Sequence, residues 1–259
     1  MNNIKIENIK LRGETRVSRM TVILAASIFG GLGIFGCSSG AANTQAAANR
    51  SNTNGPAVIS AVTSPTPTPN TTTGKVPASL SDAGEYGENT YDMAKINNWG
   101  KAAEKVNKLK QSQSQMADAN IKSPELDIAI TSLEKDVAAK DRPAALHDSN
   151  QVTFVIADLT AKYNPQIPVE VTKLDYYGRE LEIWSMAKDE AKLKSTAAAM
   201  RSIWNAVKPM VEAKGGGKQA QTFEALVVKA DTARTIEDYA KVATPILDEV
   251  DNLEKVFEK

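Results

Sequence analysis

The sequence predicts an all-α fold in which antiparallel helical hairpins form a bundle. Three observations lead to this class. Apolar residues recur at three- and four-residue spacing through much of residues 81–259, that range shows no sustained alternation, and helix-capping residues separate the apolar stripes. A chain of 259 residues is long enough to bury a substantial core.

Five apolar stripes define the predicted helices, each with lysine, glutamate and aspartate on the opposite face. Pro209 and Pro245 lie inside two of the stripes and are expected to kink those helices. The stripes are Trp99, Ala102, Val106, Leu109 and Met116; Leu126, Ile130, Leu133 and Val137; Val171, Leu174, Gly178 and Leu181; Leu193, Ala197, Met200, Trp204, Val207 and Val211; and Val242, Ile246, Val250, Leu253 and Phe257.

The helical pattern recurs about every 48 residues. Lys140-Asp141 aligns with Lys188-Asp189 and then with Glu237-Asp238, and apolar residues fall at matching distances on either side. The predicted unit is a shorter helix, a tight turn and a longer helix, which gives about seven helices in total. An alternative treats each unit as one long bent helix, so that the domain is a single four-helix bundle.

Capping residues mark where the predicted helices begin and end. Asp141, Asp189 and Thr235 are good N-caps, and Pro143 suits a first helical turn. Gly215-Gly216-Gly217-Lys218 resembles a phosphate-binding loop superficially, but it lacks a preceding strand and the full spacing. We interpret it as a turn between helices.

Charge and residue counts exclude several classes of function. The 31 basic and 31 acidic residues cancel, which argues against general nucleic-acid binding. The single cysteine and single histidine exclude an internal disulfide framework, a cysteine-based zinc site and a multi-histidine metal centre. The cancellation is uneven along the chain, because residues 1–20 are basic and residues 81–259 are acidic.

The N-terminal residues 1–36 have the pattern of a secretory signal. A basic stretch precedes the uncharged run Thr21–Gly36, which is short for a membrane-spanning helix. Ile34-Phe35-Gly36-Cys37 resembles the lipobox of bacterial lipoproteins. The resemblance implies that Cys37 becomes the lipidated first residue of the mature protein. Ser38 after the cysteine then implies the periplasmic face of the outer membrane.

Residues 37–80 are predicted to be the lipid anchor and a disordered linker. Ala, Gly, Ser, Thr, Asn and Pro fill 35 of the 43 positions from 38 to 80, and no aromatic residue occurs there. Such a segment buries too little apolar surface to offset the loss of chain entropy on folding. We therefore expect a tether that joins the anchor to a helical domain over residues 81–259.

The most distinctive polar string of the domain is a candidate ligand pocket. Asp175, Tyr176, Tyr177, Arg179 and Glu182 fall within three helical turns. Arg179 has the spacing to pair with Asp175 and with Glu182, and the tyrosines have the size to line a gap between helices. The alternative is that these residues are core aromatics beside a solvated ion-pair face.

Two further groups are weaker candidates for chemistry. His147 has the ordinary pKa range of an acid–base group or metal ligand, but the simpler interpretation is a partly exposed residue on a helix surface. Asp248, Glu249, Asp251 and Asn252 lie close together on the last predicted helix, where we expect an acidic, solvated face. We predict no metal site and no catalytic residue.

Residues 174–211 resemble one hairpin of the four-helix b-type cytochromes. Where that family places a haem-ligating histidine, this chain has Asn205-Ala206-Val207-Lys208, so the resemblance implies the architecture without the haem. No cofactor is expected.

The sequence thus predicts a membrane-anchored lipoprotein of the cell envelope with a non-catalytic helical domain. That domain would bind an envelope protein or a small molecule. The alternative is a metal- or redox-handling protein of the periplasm, and an enzyme is the third hypothesis.

Overall fold

A computed structural model describes residues 75–258. The predicted signal peptide, Cys37 and the linker up to residue 74 lie outside the described residues. Eight α-helices and no strand occur in the described range, which confirms the all-α class. They are α1 (Ala78–Lys95), α2 (Trp99–Asp118), α3 (Pro124–Ala139), α4 (Arg142–Ala161), α5 (Val169–Ala187), α6 (Glu190–Ala213), α7 (Gly217–Thr232) and α8 (Ile236–Phe257).

Helix α1 is predicted neither by the five apolar stripes nor by the count of about seven helices. It begins at Ala78, inside the segment assigned to the linker. Its buried face is built largely from small and polar residues, so it shows no apolar stripe in the sequence. Gly87 and Thr90 are buried there, and a Cβ at Gly87 would lie 3.1 Å from atoms of Val152 and Thr153 on α4. Small side chains thus let α1 and α4 approach closely.

Short turns divide the chain into helical hairpins, so the alternative of four long bent helices is wrong. Lys140 and Lys188 each end a helix in the left-handed conformation, and the next helix begins two residues later. After each lysine, the following aspartate donates its backbone N–H to a carbonyl in the last turn of the finished helix. This hydrogen-bond pattern satisfies backbone groups that a helix end otherwise leaves free.

The N-cap predictions are confirmed by hydrogen bonds. The side chains of Asp141, Asp189 and Thr235 accept from backbone N–H groups in the first turns of α4, α6 and α8. Pro143 lies in the first turn of α4. Asp238 completes a capping box with Thr235, since its carboxylate accepts from the Thr235 backbone N–H.

The eight helices form two bundles, each a closed ring of four. In the first bundle α1 packs on α2 and α4, and α3 packs on α2 and α4; in the second, α5 packs on α6 and α8, and α7 packs on α6 and α8. Each bundle has its own apolar core. The bundles meet where α4 packs on α5. Ile183 of α5 belongs to the first core, so this helix serves both bundles.

The predicted stripes supply much of both cores. Trp204 and Phe223 are fully buried in the second core and their rings lie 4.7 Å apart, while Leu109 and Leu133 are fully buried in the first. Pro209 and Pro245 lie within α6 and α8. None of the described helices is long and apolar enough to cross a membrane.

Candidate functional site

Helix α5 carries the five candidate pocket residues, and their side chains point in two directions. Arg179 pairs with Asp175 and contacts α1, and Glu182 contacts α1 and α8. Tyr176 instead lies against Phe154 of α4. Residues at i, i+4 and i+7 share one face of a helix, which explains the first set. The structure therefore does not bring all five side chains to one place.

Arg179 is the centre of a buried polar network between α5 and α1. One guanidinium nitrogen, Nη2, lies 2.8 Å from Oδ2 of Asp175 and 3.7 Å from Oε2 of Glu88. The guanidinium also lies over the ring of Tyr91, at 5.1 Å from the centroid. The predicted pairing with Asp175 is confirmed. Arg179 is 4% exposed, so these contacts stand in place of water.

Neighbouring carboxylates keep the guanidinium of Arg179 positively charged. Burial opposes the charged form and lowers its pKa, but the nearby carboxylates of Asp175, Glu88 and Asp92 outweigh burial, and the pKa of Arg179 rises above its ordinary value. The second nitrogen, Nη1, is buried and has no hydrogen-bond partner. The network therefore holds a permanent positive charge inside the protein.

Glu182 extends the network to α8. Its Oε2 accepts from the hydroxyl of Tyr91 at 2.9 Å and from Nζ of Lys95 at 2.6 Å, and its Oε1 accepts from the hydroxyl of Thr244 at 3.2 Å. Burial, and then the charge of Glu182, raise the pKa of Tyr91 well above its ordinary value. Tyr91 thus stays a neutral hydrogen-bond donor. We call this set the Arg179 network: Glu88, Tyr91, Lys95, Asp175, Arg179, Glu182 and Thr244.

Gly178 lets α5 approach α8 closely. A Cβ at this position would lie 2.6 Å from Cδ2 of Leu247 and 3.3 Å from Cγ2 of Ile246. Both distances are shorter than ordinary contact, so any side chain there displaces Leu247.

Gly178→Ala is expected to destabilise the protein by about 1–3 kcal/mol, the usual cost of overpacking a filled core. Urea unfolding monitored by circular dichroism measures this loss. Gly100→Ala on α2 is the matched control, because a Cβ at Gly100 meets nothing within 4 Å. The control should be neutral or up to about 1 kcal/mol more stable, since alanine favours helix. Equal effects of the two substitutions would contradict the close approach at Gly178.

The tyrosine pair lies where α5 meets α4. The ring of Tyr176 is 4.6 Å from that of Phe154 and 5.1 Å from that of Tyr177. Burial raises the pKa of both tyrosines, so each hydroxyl stays protonated. Both side chains are only partly buried. Their rings form an aromatic cluster on α4 and α5, away from the Arg179 network.

His147 lies on α4 beside the same helix, and its side chain is 40% exposed, in accord with the prediction of a partly exposed residue. Its Nδ1 is 3.1 Å from Oδ1 of Asp148, and its ring meets Trp184 edge-on at 5.6 Å between centroids. Nε1 of Trp184 donates to Glu180, whose other oxygen accepts from the amide of Asn150 at 2.9 Å. We call this set the His147 cluster: His147, Asp148, Asn150, Glu180 and Trp184.

A third polar cluster, on α6 and α7, was not predicted. Glu224 accepts from Arg201 at 2.6 Å, from the indole of Trp204 at 2.8 Å and from Lys208 at 3.0 Å. Arg201 also pairs with Asp231 at 2.7 Å. Arg201, Trp204 and Lys208 fall at i, i+3 and i+7 on α6, but nothing in the sequence identifies the facing acid on α7.

The hydrogen bond from Arg201, followed by those from Trp204 and Lys208, lowers the pKa of Glu224 to about 2. A carboxyl with a depressed pKa in the folded protein stabilises it above the unfolded pKa of about 4.3. That contribution is lost as the pH falls through the folded value. Wild type is therefore expected to lose more stability than Glu224→Gln between pH 5 and pH 2. Parallel pH profiles of the melting temperature would contradict this role.

The other candidate groups are the glycine turn before α7 and the polar residues of α8. Gly215 and Gly216 lie in the predicted turn, whereas Gly217 and Lys218 already belong to α7. Gly216 is packed so closely that a Cβ would lie 2.7 Å from Val211 and 2.9 Å from Val256. On α8, Asn252 donates to Glu249 at 2.9 Å. Within residues 75–258, no group of three or more His, Cys, Asp or Glu side chains has an arrangement that could hold a metal ion.

Comparisons with known proteins assign no family. The chain matches no protein-family model, and no curated protein and no solved structure is significantly similar to it.

The polar side chains of α5 form a joint between helices of the two bundles. The charged and hydrogen-bonding groups of α5 contact partners on α1, α4 and α8, so they connect the first bundle to the second. Sequence reasoning identified Asp175, Arg179 and Glu182 of this joint but not Glu180, which accepts from Asn150 of α4. It missed Glu88, Tyr91 and Lys95, because their i, i+3 and i+7 spacing on α1 gives no information about a partner about ninety residues away.

Proposed function

We propose that the protein is a lipid-anchored lipoprotein of the bacterial cell envelope whose helical domain binds a partner or ligand without catalysis. The observation that carries this proposal is the position of Cys37, the sole cysteine, directly after an uncharged run and a lipobox-like Ile34-Phe35-Gly36. A lipoprotein cysteine bears several acyl chains, and more than one chain is needed for a stable anchor.

The segment between the anchor and α1 supports the same proposal. Forty residues separate Cys37 from α1, which begins at Ala78, and Thr66-Pro67-Thr68-Pro69 favours extended backbone within them. At about 3.3–3.6 Å per residue, the fully extended segment reaches about 130–145 Å. Such a tether gives the helical domain access to partners well away from the bilayer surface.

The contacts of the helical domain support a binding role over catalysis. Asp175, Arg179 and Glu182, which the sequence suggested as a pocket, are engaged with one another or with α1 and α8. A catalytic group needs to reach a substrate. These side chains instead hold the two bundles together, which leaves the outer helix faces as the surface for a partner.

Cys37→Ser tests the anchor. Wild type is expected in the membrane fraction of its own host, to be released by detergent and not by high salt. The variant lacks the thiol that accepts lipid and is expected to leave that fraction. Circular dichroism of both proteins controls for folding, since the described helices begin at Ala78, forty-one residues after Cys37 in the sequence. Membrane association of Cys37→Ser equal to that of wild type would overturn the anchor.

Native mass spectrometry of the detergent-solubilised wild type tests the binding role separately. A ligand or protein partner retained from the envelope should add a defined mass that disappears on denaturation. Protein that carries lipid but no such added mass would contradict the binding role and leave the anchor intact.

A further inference from the structure

Lys105 is a buried lysine of the first bundle. It lies in α2, and only 5% of the residue is exposed. Lysine is almost never buried without a carboxylate partner, because the ammonium group loses its hydration there. Among residues 75–258, no carboxylate forms an ion pair with Lys105, and its Nζ instead lies 6.0 Å from the ring centroid of Tyr86 on α1. The fold therefore holds an ammonium group whose charge no described side chain pairs.

Lys108 brings a second ammonium group to the same tyrosine. It follows Lys105 by about one helical turn and places its Nζ 5.9 Å from the centroid of Tyr86. The side chain of Lys108 is 42% exposed and Tyr86 is only partly buried, so the three side chains meet at the protein surface. The ring of one tyrosine gives two ammonium groups only weak electrostatic compensation.

The carboxylates near this pair of lysines do not neutralise it. Glu104 accepts from Lys101 at 2.9 Å and lies 3.4 Å from Nζ of Lys108, so its one charge is shared by two other lysines. Burial, followed by the charge of Lys108, lowers the pKa of Lys105, and the opposing effects of Glu104 and Glu85 are smaller. This face of α2 thus carries an excess of positive charge on a domain that is acidic as a whole.

We propose that Lys105, Lys108 and Tyr86 form a binding site for a phosphate group. Phosphate has several oxygens that accept hydrogen bonds, so it can bridge two ammonium groups, and lysine binds phosphate as a point charge. A bound phosphate supplies the counter-charge that Lys105 lacks within the fold. The site gives a ligand class to the binding role proposed above, on which it rests, and it does not depend on the lipid anchor.

Calorimetric titration of the full-length protein with inorganic phosphate, at constant ionic strength in chloride, measures the site. Lys105→Met and Lys108→Met should each weaken phosphate binding about tenfold or more, because each loses a hydrogen bond between charged groups. Lys110→Met is the matched control on the same helix, since Lys110 pairs with Glu134 and should not affect phosphate binding. No saturable binding to wild type, or the same loss in all three variants, would overturn the site.

Thermal unfolding separates a binding role of Lys105 from a structural one. In chloride without phosphate, Lys105→Met should melt at or above the wild-type temperature, since methionine fills the space without an unpaired charge. Added phosphate should raise the melting temperature of wild type and not that of Lys105→Met, because a ligand stabilises the folded protein only when it binds. A phosphate-dependent rise of the same size in both proteins would contradict the site.

A second titration distinguishes two sources of the phosphate group. Glycerophosphoglycerol is the soluble headgroup of phosphatidylglycerol and presents phosphate as a diester, whereas inorganic phosphate carries more charge at neutral pH. Tighter binding of the diester, lost in Lys105→Met, assigns the site to a lipid headgroup. Tighter binding of inorganic phosphate, lost in the same variant, assigns it to phosphate or a phosphate monoester. In native mass spectrometry, a retained mass that persists in Lys105→Met would overturn this site and leave the broader binding role intact.

Discussion

Arg179→Met is expected to destabilise the protein by about 3–5 kcal/mol, the usual cost of removing one partner from a buried ion pair. The guanidinium lies 2.8 Å from Asp175 and 3.7 Å from Glu88, and its side chain is only 5% exposed. Methionine is similar in length and flexible, so it fills most of the space. The loss therefore comes mainly from carboxylates that remain buried without their cation.

Urea unfolding of the purified protein measures this loss, and two variants control it. Lys101→Ala removes an exposed partner of Glu104, with 60% of the lysine side chain accessible, and should change stability by less than about 0.5 kcal/mol. Adding Asp175→Leu to Arg179→Met removes a stranded charge and should recover part of the loss. An Arg179→Met protein as stable as the Lys101→Ala control would show that the network contributes little.

Trp204→Ala is expected to cost about 3–5 kcal/mol through loss of the largest side chain in the second core. Trp204 is fully buried on α6, packs against the ring of Phe223 and donates its indole N–H to Glu224. Alanine leaves a cavity that neighbouring side chains fill only in part. We also expect the far-ultraviolet spectrum to stay helical at low temperature, because the first core is separate.

Trp204→Phe separates ring packing from the hydrogen bond. Phenylalanine retains an aromatic ring against Phe223 but cannot donate to Glu224, which still accepts from Arg201 and Lys208. Trp204→Phe should cost about 0.5–1.5 kcal/mol, which is typical of one hydrogen bond, with a small further cost for the lost side-chain volume. If Trp204→Phe and Trp204→Ala lose the same stability, packing of the aromatic ring is not the main contribution of Trp204 to the stability of the protein.

Much of the fold was predictable because most helices bury apolar stripes. The five stripes lie in α2, α3, α5, α6 and α8, and Asp141, Asp189 and Thr235 act as the caps that their residue types suggested. The count of about seven helices missed α1, whose buried face includes Gly87 and Thr90. Hydrophobic periodicity does not detect a helix that packs through small and polar residues.

The grouping of hairpins into two bundles was not predictable from periodicity. An apolar stripe shows that a helix face is buried, but it does not show which helix covers it. The 48-residue repeat, in which each unit is one helical hairpin, stays a prediction from the sequence. The chain forms one ring of four helices before the loop at 162–168 and another ring after it. These rings depend on contacts between α1 and α4 and between α5 and α8.

The candidate site was predictable only along a single helix. Spacing on α5 correctly paired Arg179 with Asp175, since residues four apart are neighbours on a helix surface. The same reasoning suggested Glu182 as a second partner, yet Glu182 contacts Tyr91, Lys95 and Thr244. Long-range partners depend on how helices pack, and local spacing carries no information about that choice.

We propose that the mature protein begins at a lipidated Cys37 and carries the helical domain at the end of a tether. Intact-mass and peptide mass spectrometry of the protein purified from the membranes of its own host tests this directly. We expect an N-terminal peptide that starts at Cys37 and bears diacylglycerol, with residues 1–36 absent. A mature chain that starts elsewhere, or an unmodified thiol at Cys37, would contradict it.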